Sequence, residues 1–356
     1  TYNAATTAIT VTTSTGSNSY NKFYTNTIQN CNAGITLNGF GDVSPFSLGD
    51  TLNDIGGSSL STGNTIINFG GGTGASNPAL GIYTKDQWGL NISFNTVNNN
   101  NGTGVNHPAT LRGIYTSNSS TNSSININNN TLSIKGGGTT SQVSVIEQNS
   151  GISGTNNTIN INNNTLTGCQ YLTATSGVFY GIYNLATATN VNISGNTING
   201  ISYSGSTLTG TGTVYGIFNS SVVSNLVVRA NTVMNISRTG TTGGTTIGIY
   251  NSGTVVTGTI SSNTIDTLTV AGTGTGGAIQ GIQSAGTTVF CDSNTIFFLR
   301  NNKSTGTGLI YGIFGGAAST NEYHRYNTIY NLIHSGSGLV YGYYTASAGN
   351  KFILGN

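Results

Sequence analysis

Apolar residues in this chain alternate with polar ones over four to six positions, stop at a cluster of Gly, Asn, Thr or Ser, and then begin again. No segment holds the i, i+3, i+4 spacing of a helix, so the pattern predicts short β-strands and almost no helix. Asn-Thr followed by an apolar residue begins at Asn26, Asn64, Asn95, Asn130, Asn164, Asn196, Asn231, Asn263, Asn294 and Asn327, at intervals of 31 to 38 residues that average about 33. Between these, Gly-Ile recurs at Gly81, Gly113, Gly181, Gly216, Gly248, Gly281 and Gly312; Val145-Ile146 fills the gap and Gly342-Tyr343 closes the series. Self-similarity at this period marks a solenoid. Each period reads as three strands: one through Gly-Ile-Tyr, a second such as 191–193, and a third such as 198–203. A Gly/Thr/Ser-rich loop of varying length follows the third strand, and these loops are expected to stack as a column on one edge.

The reading is therefore an all-β solenoid of about ten coils. Residues 1–63 are expected to form an irregular opening coil with an inserted loop at 39–57 and 64–356 the regular part, as one continuous domain in a single elongated body. Thr1 looks like a cut end and neither terminus reads as a polar cap, so a mature product or a segment of something longer is expected.

The periodic Asn is expected at a corner with its amide turned inward, because the residues three and five before it and two after it are apolar. Stacked at the strand spacing of about 4.8 Å, each amide can donate to one neighbouring coil and accept from the other. Asn64, Asn95, Asn130, Asn164, Asn196, Asn231, Asn263, Asn294 and Asn327 should form this ladder. On the same register Cys31 and Cys169 lie where other coils have Ile201, Ile236 and Leu268, and Cys291 lies where they have Ile92, Ile193 and Ile260. All three thiols are therefore expected in the core rather than in a disulfide framework or zinc site.

Composition narrows the function. Charged residues are only 5% and the formal net charge is +2, with no Lys/Arg cluster to neutralise phosphates, so nucleic-acid binding is not expected. No apolar run approaches the roughly 18 residues of a membrane-spanning helix. Low charge and low complexity are shared with disordered tracts, but such tracts lack apolar residues in phase.

The pattern of an apolar residue three before Asn-Thr-Ile, alternating with Gly-Ile-Tyr, resembles the right-handed parallel β-helix of pectate-lyase-like proteins over about residues 26–344. The Ser/Thr/Asn/Gly-rich, charge-poor variety resembles large secreted surface proteins of Bacteroidetes-type bacteria. The resemblance implies right-handed winding and an extracellular or cell-surface location. It carries over no lyase residue, since neither an acidic cluster of the calcium-binding kind nor an Arg repeated on one face is present.

Eight carboxylates leave few catalytic options. Asp54 and Asp86 are 32 residues apart and are expected to stack, with Asp42 and Asp50 in the loop nearby, which makes a hydrolase candidate. Asp292 and Arg325 both sit two before their ladder Asn and are expected to pair across coils, near Glu322 and His324 at inward positions. A file of outward Thr residues beside the Asn corner lacks the paired Thr lattice of an ice-binding face. No catalytic residue, cofactor or metal is expected.

One outward column remains: Tyr83, Tyr115, Tyr183, Phe218, Tyr250, Phe314 and Tyr344. The residues two before each Gly, such as Leu111, Phe179 and Val214, are expected to share that face. A strand apolar on both faces is usually covered, here by the loop column, another protein chain or a glycan. The expectation is a non-catalytic structural or adhesive rod working through this face, alternatively a polysaccharide-binding or polysaccharide-degrading β-helix.

Overall fold

The computed structural model describes residues 18–41, 48–71, 78–101, 106–117, 123–151, 156–204, 212–240, 243–316 and 319–356. They form a parallel β-solenoid of about nine turns of about 32 residues. Three long sheets run along it. Sheet I has eleven strands, from Lys22–Phe23 to Asn350–Leu354; sheet II has twelve, opening with Thr27–Gln29; sheet III has ten, from Ala33–Asn38 to Val340–Thr345. A two-stranded ribbon, Asp50–Thr51 with Gln87–Trp88, stands beside the first coils. Among the described residues the one helical element is a 3-10 turn, Leu60–Thr62.

Each strand pairs in parallel with its equivalent one coil away, so every position becomes a column. Ile125, Ile159, Val191 and Leu226 stack inward on sheet I, as do Cys169, Ile201, Ile236 and Leu268 on sheet II. These side chains are at most 1% exposed and form one continuous core.

Local backbone devices turn the chain at fixed places. The residue before the ladder Asn is left-handed in most coils, with φ of 62° at Phe94, 55° at Asn163, 66° at Gly195 and 52° at Ala230. A second left-handed residue lies four after the ladder Asn, at Asn68, Gly168, Gly200, Asn235 and Phe298. Pairing skips it: Asn199 faces Met234 and Ile201 faces Ile236, leaving Gly200 and Asn235 as bulges. The bulge shifts the strict two-residue alternation by one, which is why positions two and five after the Asn both point inward.

The glycine of Gly-Ile-Tyr has another cause. A Cβ on Gly181 would lie 2.4 Å from Gly216 O, and one on Gly216 would lie 2.5 Å from Gly248 O. The column begins one coil earlier than the sequence reading placed it, at Gly34, which faces Gly81 in the same way. Pairing skips these positions too, and this corrects one expectation: Leu111, Phe179 and Val214, two before the Gly, are fully buried core residues. The residue immediately before the Gly shares the outward face with the rings.

Where sheet II meets the loops, one inward column reaches across to loop backbone. Tyr171 Oη donates to Ser141 O at 2.7 Å, Tyr203 Oη to Gly177 O at 2.5 Å, Arg238 Nε to Gly212 O at 3.2 Å and Asn301 Nδ2 to Gly277 O at 2.8 Å. The Gly-rich loops are thus tied to the rod once per coil at these places.

Candidate functional site

The Asn ladder forms as expected and is longer at its far end. Asn196 Nδ2 donates to Asn231 Oδ1 at 2.9 Å and to Ile161 O at 2.8 Å, while its Oδ1 accepts from Asn164 N at 2.9 Å and Asn164 Nδ2 at 3.0 Å. The same pattern joins Asn64, Asn95, Asn130, Asn164, Asn196, Asn231, Asn263, Asn294 and Asn327. Asn26 precedes it and Asn356 follows, bound by Asn327 Nδ2 at 2.8 Å. Asn356 escapes the sequence reading because the Thr-apolar pair that marks the other rungs is not seen after it.

A second buried ladder was not anticipated. Asn184 Nδ2 donates to Asn219 Oδ1 at 2.6 Å and Asn219 Nδ2 to Asn251 Oδ1 at 2.7 Å. Its signal is the Asn that directly follows the ring in 181–184, 216–219 and 248–251.

The aromatic column is on the outer face of sheet III. Tyr83, Tyr115, Tyr183, Tyr250 and Phe314 are half-buried, Phe218 is buried at 8% exposed, and Tyr344 in the last coil is 39% exposed. A second file, Tyr180, Tyr215, Tyr311 and Tyr341, supplies the residue before each Gly. Rings lie nearly parallel from coil to coil: Tyr183 on Phe218 at 5.2 Å and 13°, Phe218 on Tyr250 at 4.9 Å and 15°, Tyr180 on Tyr215 at 5.2 Å and 5°. The two files also stack on each other, Tyr180 on Tyr183 at 4.2 Å and Tyr215 on Phe218 at 4.6 Å. Ring faces are therefore taken up by neighbouring rings, and edges and hydroxyls remain for other contacts.

Two polar rungs divide the face. Glu147 stands between Tyr115 and Tyr183, 3% exposed, and accepts from Arg112 Nε at 2.6 Å and Gln142 Nε2 at 2.6 Å. The Arg112 guanidinium lies 4.3 Å over the Tyr115 ring. Gln283 makes the other break, between Tyr250 and Phe314.

The carboxylate candidates do not converge as expected. Asp54 stacks between Lys22 and Asn91 on sheet I, whereas Asp86 lies beside the ribbon and feels Asp50. The ribbon inserts extra residues ahead of sheet I, so equal spacing does not mean equal register here. Burial pushes both Asp50 and Asp86 above the ordinary carboxylate range. Asp42 lies outside the described residues. Asp54 accepts from Tyr24 Oη at 2.5 Å, Asn91 Nδ2 at 2.7 Å and Gly57 N at 3.0 Å, and lines an open groove of about 550 Å³ with Ser93, Phe94 and Asn128.

At the other end, Arg325 pairs with Asp292 as expected, Nη2 to Oδ2 at 2.5 Å and Nε to Oδ1 at 3.0 Å. Glu322 and His324 point into the core, with Glu322 Oε2 3.6 Å from His324 Nε2. Cys291 occupies the same inward column as His324, one coil earlier. A thiol, an imidazole and a carboxylate in one row suggest nucleophile chemistry, but Cys291 is fully buried and receives Asn294 Nδ2 at 3.4 Å. Burial, then Asp292 and Glu322, push its pKa far up, so the thiolate is suppressed. Burial pushes Cys169 up to about 12. Cys31 is half-buried. Cys169 and Cys291 should consequently resist iodoacetamide in the folded protein and react only after denaturation; rapid native labelling of either would contradict their placement.

Comparison with known proteins matches no family model, no curated protein and no solved structure.

Proposed function

We propose that the protein is a non-catalytic structural or adhesive β-solenoid, a stalk or fibre segment of the extracellular or cell-surface kind. Its contacts are made through the outer face of sheet III, with other protein chains, including a second copy or surface machinery, as partners. Right-handed winding of the pectate-lyase-like type and kinship with Bacteroidetes-type surface proteins belong to the same proposal. The observation that supports it is the double aromatic file from Tyr180 to Tyr250, whose rings stack on one another along the rod. Stacking on a sugar needs an open ring face, whereas ring edges suit lateral packing against another protein layer.

Replacing Tyr183, Phe218 and Tyr250 together by Ser tests this. Expected is a loss of stability, on the order of 1 kcal/mol for each ring stack removed, together with loss of self-association. Intact assembly and stability with abolished binding to a polysaccharide panel would overturn the packing reading. It would promote polysaccharide binding at these same rings.

A further inference from the structure

Arg238 heads the largest fully buried side chains, and the ion pairs among the described residues engage Asp86, Glu147, Glu322 and Asp292, none of them with Arg238. Two of its nitrogens are placed: Nε donates to Gly212 O at 3.2 Å and Nη2 donates to Gly243 O. Nη1 is buried and meets no hydrogen-bond partner among the described residues. Val270 follows Arg238 in the same inward column, then Asn301, with the fully buried Lys303 two residues further along the chain. Burial lowers the pKa of both cations, and the charge of Arg238 adds to the effect on Lys303.

Glycine backbone closes round them. A Cβ on Gly244, where φ is +116°, would lie 2.1 Å from Arg238 Nη2, and one on Gly277, where φ is +91°, would lie 3.8 Å from Lys303 Nζ.

Tying the loops to sheet II does not account for the charge. Tyr203 and Asn301 make the same tie from the same column with neutral groups. A guanidinium cannot shed its proton to escape burial, and carbonyl dipoles offset only part of the cost, so a counter-charge is called for. We propose that Arg238 Nη1 holds a small inorganic anion between the end of sheet II and the glycine loops.

The test is thermal unfolding of the full chain at fixed ionic strength, with chloride, nitrate or phosphate exchanged against gluconate, for the parent and for Arg238→Met. Expected is a melting midpoint that rises saturably with at least one small anion in the parent, following the linkage of a ligand that binds only the folded state, and a flat response in Arg238→Met. The same response in both proteins, or none in the parent, overturns the proposal. Should Arg238→Met fail to fold, anomalous scattering from bromide-soaked crystals of the parent decides. A peak within hydrogen-bond distance of Nη1 supports the site, and peaks confined to the surface overturn it.

Discussion

Replacing Asn231 by Ala should cost about 3 kcal/mol, more than an ordinary surface substitution, because four buried groups lose a partner together. Asn231 Nδ2 reaches Ile193 O at 2.8 Å and Asn263 Oδ1 at 3.0 Å, and its Oδ1 receives Asn196 N at 2.9 Å and Asn196 Nδ2 at 2.9 Å. An alanine answers none of these, and the site, 1% exposed, leaves water little access. Solenoids can unfold coil by coil, so the measurement should be native-state hydrogen exchange as well as a denaturant midpoint. A change below about 0.5 kcal/mol, with unaltered protection of the flanking amides, would mean that these contacts are not made in solution.

The second large effect concerns Glu322 and His324, which sit where neighbouring coils carry Val289 and Cys291. Glu322 Oε2 receives Thr345 Oγ1 at 3.0 Å, but Glu322 Oε1 and both His324 ring nitrogens have no hydrogen-bond partner among the described residues. Such a half-satisfied pair is costly to break and often costs nothing to replace outright. His324→Ile alone should destabilise by about 3 kcal/mol, because the carboxylate is left buried without its partner. Glu322→Val with His324→Ile should recover that loss and add about 1 to 3 kcal/mol. Burial by itself would raise the Glu322 pKa, but the imidazole of His324 3.6 Å away and the Thr345 hydroxyl outweigh it and hold it below the ordinary value. Its ionised form therefore contributes stability above the ordinary glutamate range, and that contribution is lost as the pH falls through the depressed folded value. A double variant no more stable than His324→Ile at neutral pH would refute this.

The repeat made the fold legible, since a side chain that recurs every coil names its own neighbours. Asn231 and Asn263, or Ile201 and Ile236, could be paired by counting alone. Counting failed wherever a local device altered the register. The bulge at Gly200 and the skipped Gly181 are backbone conformations, and parity arguments placed Phe179 on the wrong face because they assume unbroken alternation. The ribbon at Asp50–Thr51 likewise separated Asp54 from Asp86. At the candidate interaction face the seven rings were visible, but not the second file headed by Tyr180, because its positions also hold Arg112, Ser144 and Gln280. Arg238 carried no sequence signal, since its column mixes Tyr, Val and Asn.

The two kinds of amide file run in opposite directions. Inside, every Nδ2 of the corner ladder donates one hydrogen to the Asn of the following coil, as from Asn164 to Asn196 and from Asn196 to Asn231, and the other goes to a main-chain carbonyl of the preceding coil, as from Asn196 to Ile161 and from Asn231 to Ile193. Outside, Asn160 donates back to Asn126, Asn192 to Asn160 and Asn225 to Asn190. In an α-helix the peptide dipoles all add, and charge accumulates at the tips. Here each corner amide donates both ways and the outer files point back, so the side-chain amides along the rod do not all add in one direction.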